Sequence, residues 1–320
     1  MKIKISVLLI NMKTKNQNFK KLIFRLYELC LKVNLVESRI VQEYKNEQMR
    51  CPVHLSLGQE AVAAAMGCIM KKNDFVFSGH RSHAHYIVKN GSINKMIAEL
   101  YGKKSGCSKG HGGSMHLVDE KVNFMGSTAI VSNSIPVGVG YALGNQIKKR
   151  KSNTFIFFGD GAVEEGVFYE SLNFSILKNL NIVFICENNK YSVYSHMHLR
   201  QPKNRQIYKL SQSIGIPSYK INSTDPLNIF QKVNNKLKKK KKGPIFFEIK
   251  TFRNVEHCGP SNDDNLNYRS KSEINYWKKN NFFKIFKRKK ITKYLDIKNK
   301  EIIKNKIQKN IDIAFLNAKK

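Results

Sequence analysis

Two short groups of residues carry the chemistry most readily read from this chain. Gly159-Asp160-Gly161-Ala162 follows the apolar run Thr154 to Phe158, and Glu187-Asn188-Asn189-Lys190-Tyr191 follows the apolar run Ile182 to Cys186. Glycines let a backbone approach a phosphate closely, and an aspartate supplies a hard oxygen for a divalent cation. The amide oxygen of Asn189 offers a second. With phosphate oxygens and water completing an octahedron, such a pair forms the sort of site that Mg2+ accepts. Gly-Asp-Gly alone marks only a strand-to-turn junction. Followed by a helix, a strand and Asn-Asn, it is a specific signal.

The elements that must position these groups are legible around them. Between the two apolar runs lies a helical stretch, roughly Glu165 to Lys178, with Val167, Phe168, Leu172 and Ile176 along one face. Strand, helix, strand with both strands apolar throughout is a βαβ unit of a sheet covered on both faces. Ligands of open α/β sheets bind at the C-terminal ends of the strands, where Asp160 and Asn189 share one rim. Gly243-Pro244 introduces a third apolar run, Ile245 to Ile249. Leu22, Leu26, Leu29, Val33, Val36 and Ile40 recur at helical spacing and predict a helix from Leu22 to about Met49. A second helix is expected over Ala61 to Met70. Residues 102–140 hold eight glycines and read as one long functional loop.

Length and composition bound the rest. The 320 residues are 41% apolar and 10% aromatic, enough for a sizeable core, so global disorder is excluded. The expected organisation is a basic N-terminal extension over 1–20, frayed, then one α/β domain over 21–270, then a basic helical tail over 271–320. No apolar run approaches the roughly 20 residues that span a bilayer, and Val7 to Ile10 is too short for a signal peptide. Six scattered cysteines without a Cys-x-x-Cys pair read as reduced thiols, so a cytoplasmic location is expected. With 57 basic and 23 acidic residues the net charge is +34, which ordinarily suggests an acidic partner. Two accounts compete: a nucleic-acid-binding face, and a codon bias towards Lys, Asn and Ile. The basic residues are spread along the chain rather than clustered with aromatics, so no nucleic-acid partner and no membrane are expected.

At Gly159-Asp160-Gly161 through Asn188-Asn189 the chain resembles the thiamine-diphosphate-binding motif. Its surroundings are similar to the alpha subunits of the 2-oxo acid dehydrogenases and of acetoin dehydrogenase. The likeness runs from about Leu22 to Arg269 and includes His54-Leu-Ser-Leu-Gly-Gln-Glu-Ala61, Gly79-His-Arg-Ser-His-Ala-His85 and Gly106-Cys-Ser-Lys-Gly-His-Gly-Gly-Ser-Met-His116. The resemblance implies an α/β thiamine-diphosphate-binding fold, a mainly parallel sheet with helices on both faces. It implies thiamine diphosphate and Mg2+ as cofactors, with Asp160, Asn189 and the Tyr191 carbonyl on the cation. Gly161 and Ala162 would offer backbone groups to the diphosphate and Arg81 a charge-assisted contact. Ala129 and Val131 would line the cofactor rings. His54 and His257 would flank the substrate as catalytic residues, with His257 also against the cofactor. His80 stands where pyruvate dehydrogenases carry a tyrosine, and its ring would touch cofactor or substrate.

The implied activity is cleavage of a 2-oxo acid, or acetoin, with transfer of the acyl group to a lipoyl arm. The implied partners are a beta subunit, in a complex of two alpha and two beta chains, and a lipoyl-bearing acyltransferase. The glutamate that activates the cofactor belongs in this family to the beta chain, so the chain alone is expected to be incomplete. Alternatives stay open: a thiamine-dependent subunit of a sugar or surface-polysaccharide pathway, and plain core roles for Val131 and His54. His80, His83 and His85 with His111 and His116 raise a zinc site, but no cysteine or acid accompanies them at zinc spacing. Cys258 replaces the serine that is phosphorylated in mitochondrial relatives. Leu57 stands where mitochondrial pyruvate dehydrogenase has an aspartate, which leans towards bacterial and acetoin-type relatives. The loop Cys258 to Asp264 is expected to be mobile without cofactor.

Overall fold

Thr154–Gly159 is buried at five successive positions and Ile182–Asn188 at all seven, a pattern that requires cover on both faces of a sheet. The computed structural model, which describes residues 2–288 and 297–320 and the side chains of 17–288 and 298–320, provides that cover. Helix α1 (Lys2–Tyr44) leads to α2 (Glu60–Ile69), strand β1 (Phe75–Ser78), α3 (His83–Val88) and α4 (Ile93–Leu100). A long loop reaches β2 (Phe124–Ser127), α5 (Ser134–Ile147), β3 (Thr154–Gly159), α6 (Gly166–Leu177) and β4 (Ile182–Asn188). Next come a small hairpin of β5 (Tyr191–Ser192) and β6 (Ser195–His196), then α7 (Met197–Arg200), α8 (Ile207–Ser213) and β7 (Ser218–Ile221). The chain closes with α9 (Pro226–Lys239), β8 (Ile245–Lys250), α10 (Lys271–Lys279), α11 (Phe282–Arg288) and α12 (Ile297–Lys319).

Six strands pair in the order β2-β1-β3-β4-β8-β7, all parallel. Their side chains alternate between two cores. Phe155, Phe157, Val183 and Ile185 belong to the core shared with α1, α2, α4 and α12, while Ile156, Phe158 and Phe184 belong to that shared with α5 and α6. The expected parallel sheet with helices on both faces is the fold found. Strand β1 continues to β2 on one side, whereas β3 on its other side continues to β4 and away. The C-terminal ends of β1 and β3 therefore flank the crevice where such sheets bind ligands.

Three regions differ from the sequence expectation. The first helix does not begin near Leu22 after a frayed extension; α1 runs unbroken from Lys2 to Tyr44. The C-terminal segment is more than a basic tail. Ile307, Ile311, Ala314 and Phe315 of α12 join the main core, and α12 is pinned to α1 by Arg39–Asp312 at 3.0 Å and Lys319–Glu43 at 2.7 Å. Residues 289–296 of that segment lie outside the described residues. The glycine-rich stretch is not one loop: Gly126 lies in β2, and Gly138 and Gly140 lie in α5. At Gly138 the helix lies so close to the sheet that a Cβ would stand 2.6 Å from Ile156 Cδ1. The part that is a loop has a fastener. The buried Glu99 carboxylate accepts the backbone N–H groups of Ser108, Gly110, Gly112 and Gly113 at 2.7–3.3 Å. Among the described residues no helix is long and apolar enough to cross a membrane.

Candidate cofactor site

The βαβ unit sets the two signature groups side by side. In the register of β3 and β4, Gly159 pairs with Glu187, so Asp160 and Asn189 follow adjacent strand ends. The Asp160–Glu164 turn that follows β3 buries Asp160 to 1% exposure. Burial pushes the Asp160 carboxyl up, and the Arg200 guanidinium at 2.7 Å works against that rise. Asn189 Oδ1 accepts the Tyr191 N–H at 2.9 Å, and its Nδ2 donates to Gln59 Oε1 at 3.0 Å. The Tyr191 hydroxyl donates to Glu273.

Beyond β1, His80 and Arg81 enter the same crevice. Arg81 donates to Leu55 O at 2.7 Å and to His257 O at 2.7 Å, which ties the β1 rim to the segment after β8. Burial, then Arg253, lowers Arg81 to about 9, leaving it charged at neutral pH. The rings of His54, His80 and His257 form a triangle with centroids 4.9, 5.2 and 5.2 Å apart. Burial first and the cationic Arg81 next hold His54 at about 4 and His257 at about 3, and His80 falls well below its usual value for the same reasons. All three are neutral near pH 7. His257 Nδ1 faces Arg81 Nη2 at 3.2 Å and Arg253 Nη1 at 3.4 Å. Arginine can only donate, so Nδ1 accepts and the ring proton sits on Nε2. His54 Nδ1 is buried with no hydrogen-bond partner among the described residues, while the His54 N–H donates to Ser114 Oγ at 3.1 Å.

Every residue expected at the site lines one open cleft of about 970 Å³: His54, His80, Arg81, Ala129, Val131, Asp160, Gly161, Ala162, Asn189, Tyr191 and His257. Val131 is 49% exposed on its lip, which overturns a plain core role. Ser132 Oγ donates to Ala162 O at 3.0 Å and fastens that lip to the Asp160 turn. The loop Cys258 to Asp264, expected to be mobile, is pinned. Gly259 N donates to Val53 O at 2.8 Å, and Asp263 is buried between Arg253 and Arg269.

Several cleft residues were not singled out from the sequence. Glu187 Oε2 lies 3.2 Å from His85 Nε2, and His85 stacks on Phe157 with Nδ1 2.8 Å from Ser78 Oγ. His83 is buried against Glu37 at 3.3 Å and Ser114 Oγ at 2.9 Å. These histidines thus have partners of their own, and among the described residues no group of three His, Cys, Asp or Glu is placed to hold a metal. Gln59 and Glu187 sat inside quoted motifs and could have been found there. Arg253 opens the segment that holds His257 and could have been found with it, whereas Arg200 carried no such signal. The oxygen donors suit a hard divalent cation, Gly161 lines the cleft with no side chain of its own, and the buried His54 Nδ1 has no partner among the described residues. The residues fit a magnesium diphosphate.

Comparisons with known proteins give the family and the fold. Residues 29–320 match the family model described as dehydrogenase E1 component. A protein of Rickettsia bellii named pyruvate dehydrogenase E1 component subunit alpha is 37% identical over 227 residues, covering 70% of this chain and 68% of the relative. The mitochondrial subunit alpha-1 of Arabidopsis thaliana with that name is 34% identical over 232 residues, covering 72% of this chain and 58% of the relative. Two transketolases share the fold. That of Campylobacter jejuni has a TM-score of 0.58 at 17% identity, covering 73% of this chain and 40% of its own. That of Leishmania mexicana has 0.57 at 16%, covering 93% and 45%. The chain spans less than half the length of either transketolase.

Proposed function

The chain belongs to the dehydrogenase E1 component family, and from that premise we propose that it is the alpha subunit of a thiamine-diphosphate-dependent 2-oxo acid dehydrogenase. It works with a beta chain in a larger complex and passes an acyl group to a lipoyl carrier. The finer assembly is two alpha and two beta chains, and the compartment is the cytoplasm. The six unpaired cysteines support a reducing location. Support for a covering partner comes from the lip of the cleft, where Ile130 is 67% and Val131 49% exposed.

Asp160, Asn189 and the Tyr191 carbonyl would hold Mg2+, with the diphosphate on Gly161, Ala162 and Arg81. Thiamine diphosphate, when bound, supplies an electron sink for cleaving the bond beside a carbonyl. The side chains of this chain do the rest. Ala129 and Val131 give the cofactor rings an apolar wall. Neutral His257 carries a fixed proton on Nε2 and can donate it to a developing negative charge. His54 and His80 complete a ring of uncharged imidazoles around the same space, so a substrate carboxylate meets the positive charge of Arg81 and Arg253 without competing cations on the rings. The single observation that carries this reading is the placement of Asp160 and Asn189 on adjacent strand ends with Arg81 and three neutral histidines in one cleft.

The test is reconstitution. The chain purified with its beta partner, Mg2+ and thiamine diphosphate is expected to decarboxylate a 2-oxo acid, and the chain alone to show no turnover. Full turnover by a verified homogeneous chain would refute the division of labour. Inactivity of the assembled pair on pyruvate, branched-chain 2-oxo acids and acetoin alike would refute the activity.

A further inference from the structure

The carboxylate offered to the divalent cation already has a positive partner, and that partner comes from this chain. Arg200 Nη2 lies 2.7 Å from Asp160 Oδ2, with side-chain exposures of 12% and 1%. Its Nη1 pairs with Glu164, and its Nε donates to Ser195 O at 3.1 Å. Gln201 donates to the same Glu164 oxygen at 2.9 Å. The second side-chain oxygen of the cation site, Asn189 Oδ1, is taken by the N–H of Tyr191. Both oxygens are therefore satisfied by donors from one stretch of chain, 191–201, which comprises the β5–β6 hairpin and α7. Over Gly161, where a diphosphate would lie, a Cβ would meet Ser192 Oγ at 3.1 Å and Arg200 Nη1 at 3.6 Å. The same stretch crowds both halves of the cofactor site.

We propose that Arg200 is a resident counter-cation of the cofactor site, paired with Asp160 and Glu164 until a divalent cation displaces it and the 192–201 stretch moves with it. The proposal rests on the reading of Asp160 as a cation ligand. A carboxylate buried as deeply as Asp160 needs a compensating charge at all times. A guanidinium and a divalent cation on one carboxylate repel each other strongly in a site shielded from water. Glu164 resolves the conflict. It is 28% exposed, already pairs with Arg200, and gives the guanidinium a second anchor at the rim once Asp160 is surrendered. Arg200 keeps a carboxylate partner in either arrangement.

An ion pair that merely braces the loop makes the opposite prediction, since its loss would loosen the site and weaken cation binding. The experiment uses the chain assembled with its beta partner and Mn2+ as the probe, with thiamine diphosphate present, read by electron paramagnetic resonance and calorimetry. Arg200→Gln is expected to bind Mn2+ about tenfold tighter than wild type, the scale of an ordinary coupling between two sites. Glu164→Gln, which confines Arg200 to Asp160, is expected to bind it more weakly. Hydrogen exchange across 192–201 should rise in wild type when Mn2+ and cofactor bind, and should already be raised in Arg200→Gln without them. Equal or weaker Mn2+ binding by Arg200→Gln with a wild-type melting temperature overturns the proposal. So does tighter binding by Glu164→Gln, should Arg200→Gln fail to fold. If Mn2+ binds none of the three proteins, the assignment of Asp160 itself falls, and the proposal with it.

Discussion

The two ends of the same six strands treat charge in opposite ways. At the C-terminal ends charges are buried in shared pairs: Asp160 and Glu164 on Arg200, and Asp263 between Arg253 and Arg269. At the N-terminal ends, Lys149, Arg150, Lys151, Lys238, Lys241 and Lys242 line two open grooves. Asp74 is the single acid among those lining residues, and it accepts backbone N–H groups of Lys71 and Asn153 rather than pairing with the lysines. Water can solvate an exposed ammonium at little cost, whereas a buried charge must find a partner in the chain. A net charge of +34 is therefore a poor guide to function here, because most of it sits where solvent tolerates it. The informative charges are the few that folding desolvates.

The largest expected effect of breaking this contrast comes at Asp160. Asp160→Asn removes the only charged side chain among the proposed ligands of the cation. Binding of thiamine diphosphate to the assembled enzyme, followed by calorimetry, should be abolished while the fold persists. Affinity within a factor of a few of wild type would show that the buried carboxylate serves the fold alone.

How much of this was legible follows the same divide. The β3–α6–β4 unit could be read because its strands are apolar throughout and its rim residues form a specific pair of motifs. Strands β1, β2 and β7 escaped notice, since runs such as Phe75–Ser78 and Ser218–Ile221 are too short to show a period. The stripe Ile303, Ile307, Ile311, Ala314 and Ala318 does run at helical spacing. It was masked by the lysines and asparagines between its members, so α12 read as a solvated tail. The Glu99 fastener was invisible for another reason: its partners are backbone N–H groups, which leave no trace in side-chain pattern. Arg200 reaches Asp160 across an irregular hairpin, and no spacing rule connects positions 160 and 200.

A smaller effect is expected where the cleft excludes charge without a pair. His257 is held at about 3 by burial, then by Arg81, His54 and Arg253, so it is neutral throughout the physiological range. His257→Ala should lower turnover of the assembled enzyme by roughly 10²-fold, the scale of a positioned acid–base group, with cofactor affinity kept. The depressed value also has a stability consequence. Because the folded-state value lies below the ordinary 6.5, the stabilisation is fully present above about pH 6.5 and is lost as pH falls towards 3. The melting temperature of wild type should thus fall more steeply than that of His257→Ala between pH 6.5 and 4. Unchanged turnover in the variant would remove His257 from the active site.

The smallest effect is expected at the other end of the strands, and its smallness is the point. Lys238, Lys241 and Lys242 are exposed, and none is drawn into a buried pair. Lys240 beside them differs: it is partly buried, lies 3.4 Å from Asn181 Oδ1, and burial lowers it to about 8. Replacing Lys238, Lys241 and Lys242 together by glutamine, with Lys240 kept, removes three positive charges from one groove. Stability should change by no more than about 0.5 kcal/mol, as for surface substitutions away from special features. Thiamine diphosphate affinity should stay within twofold, because the cofactor cleft lies at the opposite strand ends and salt screens exposed charges beyond about 10 Å. Denaturant titration and calorimetry on the assembled enzyme measure both quantities. A tenfold loss of cofactor affinity would mean that the lysine-lined end supports the cleft through the sheet. The division between solvated and desolvated charge would then no longer mark where this protein does its chemistry.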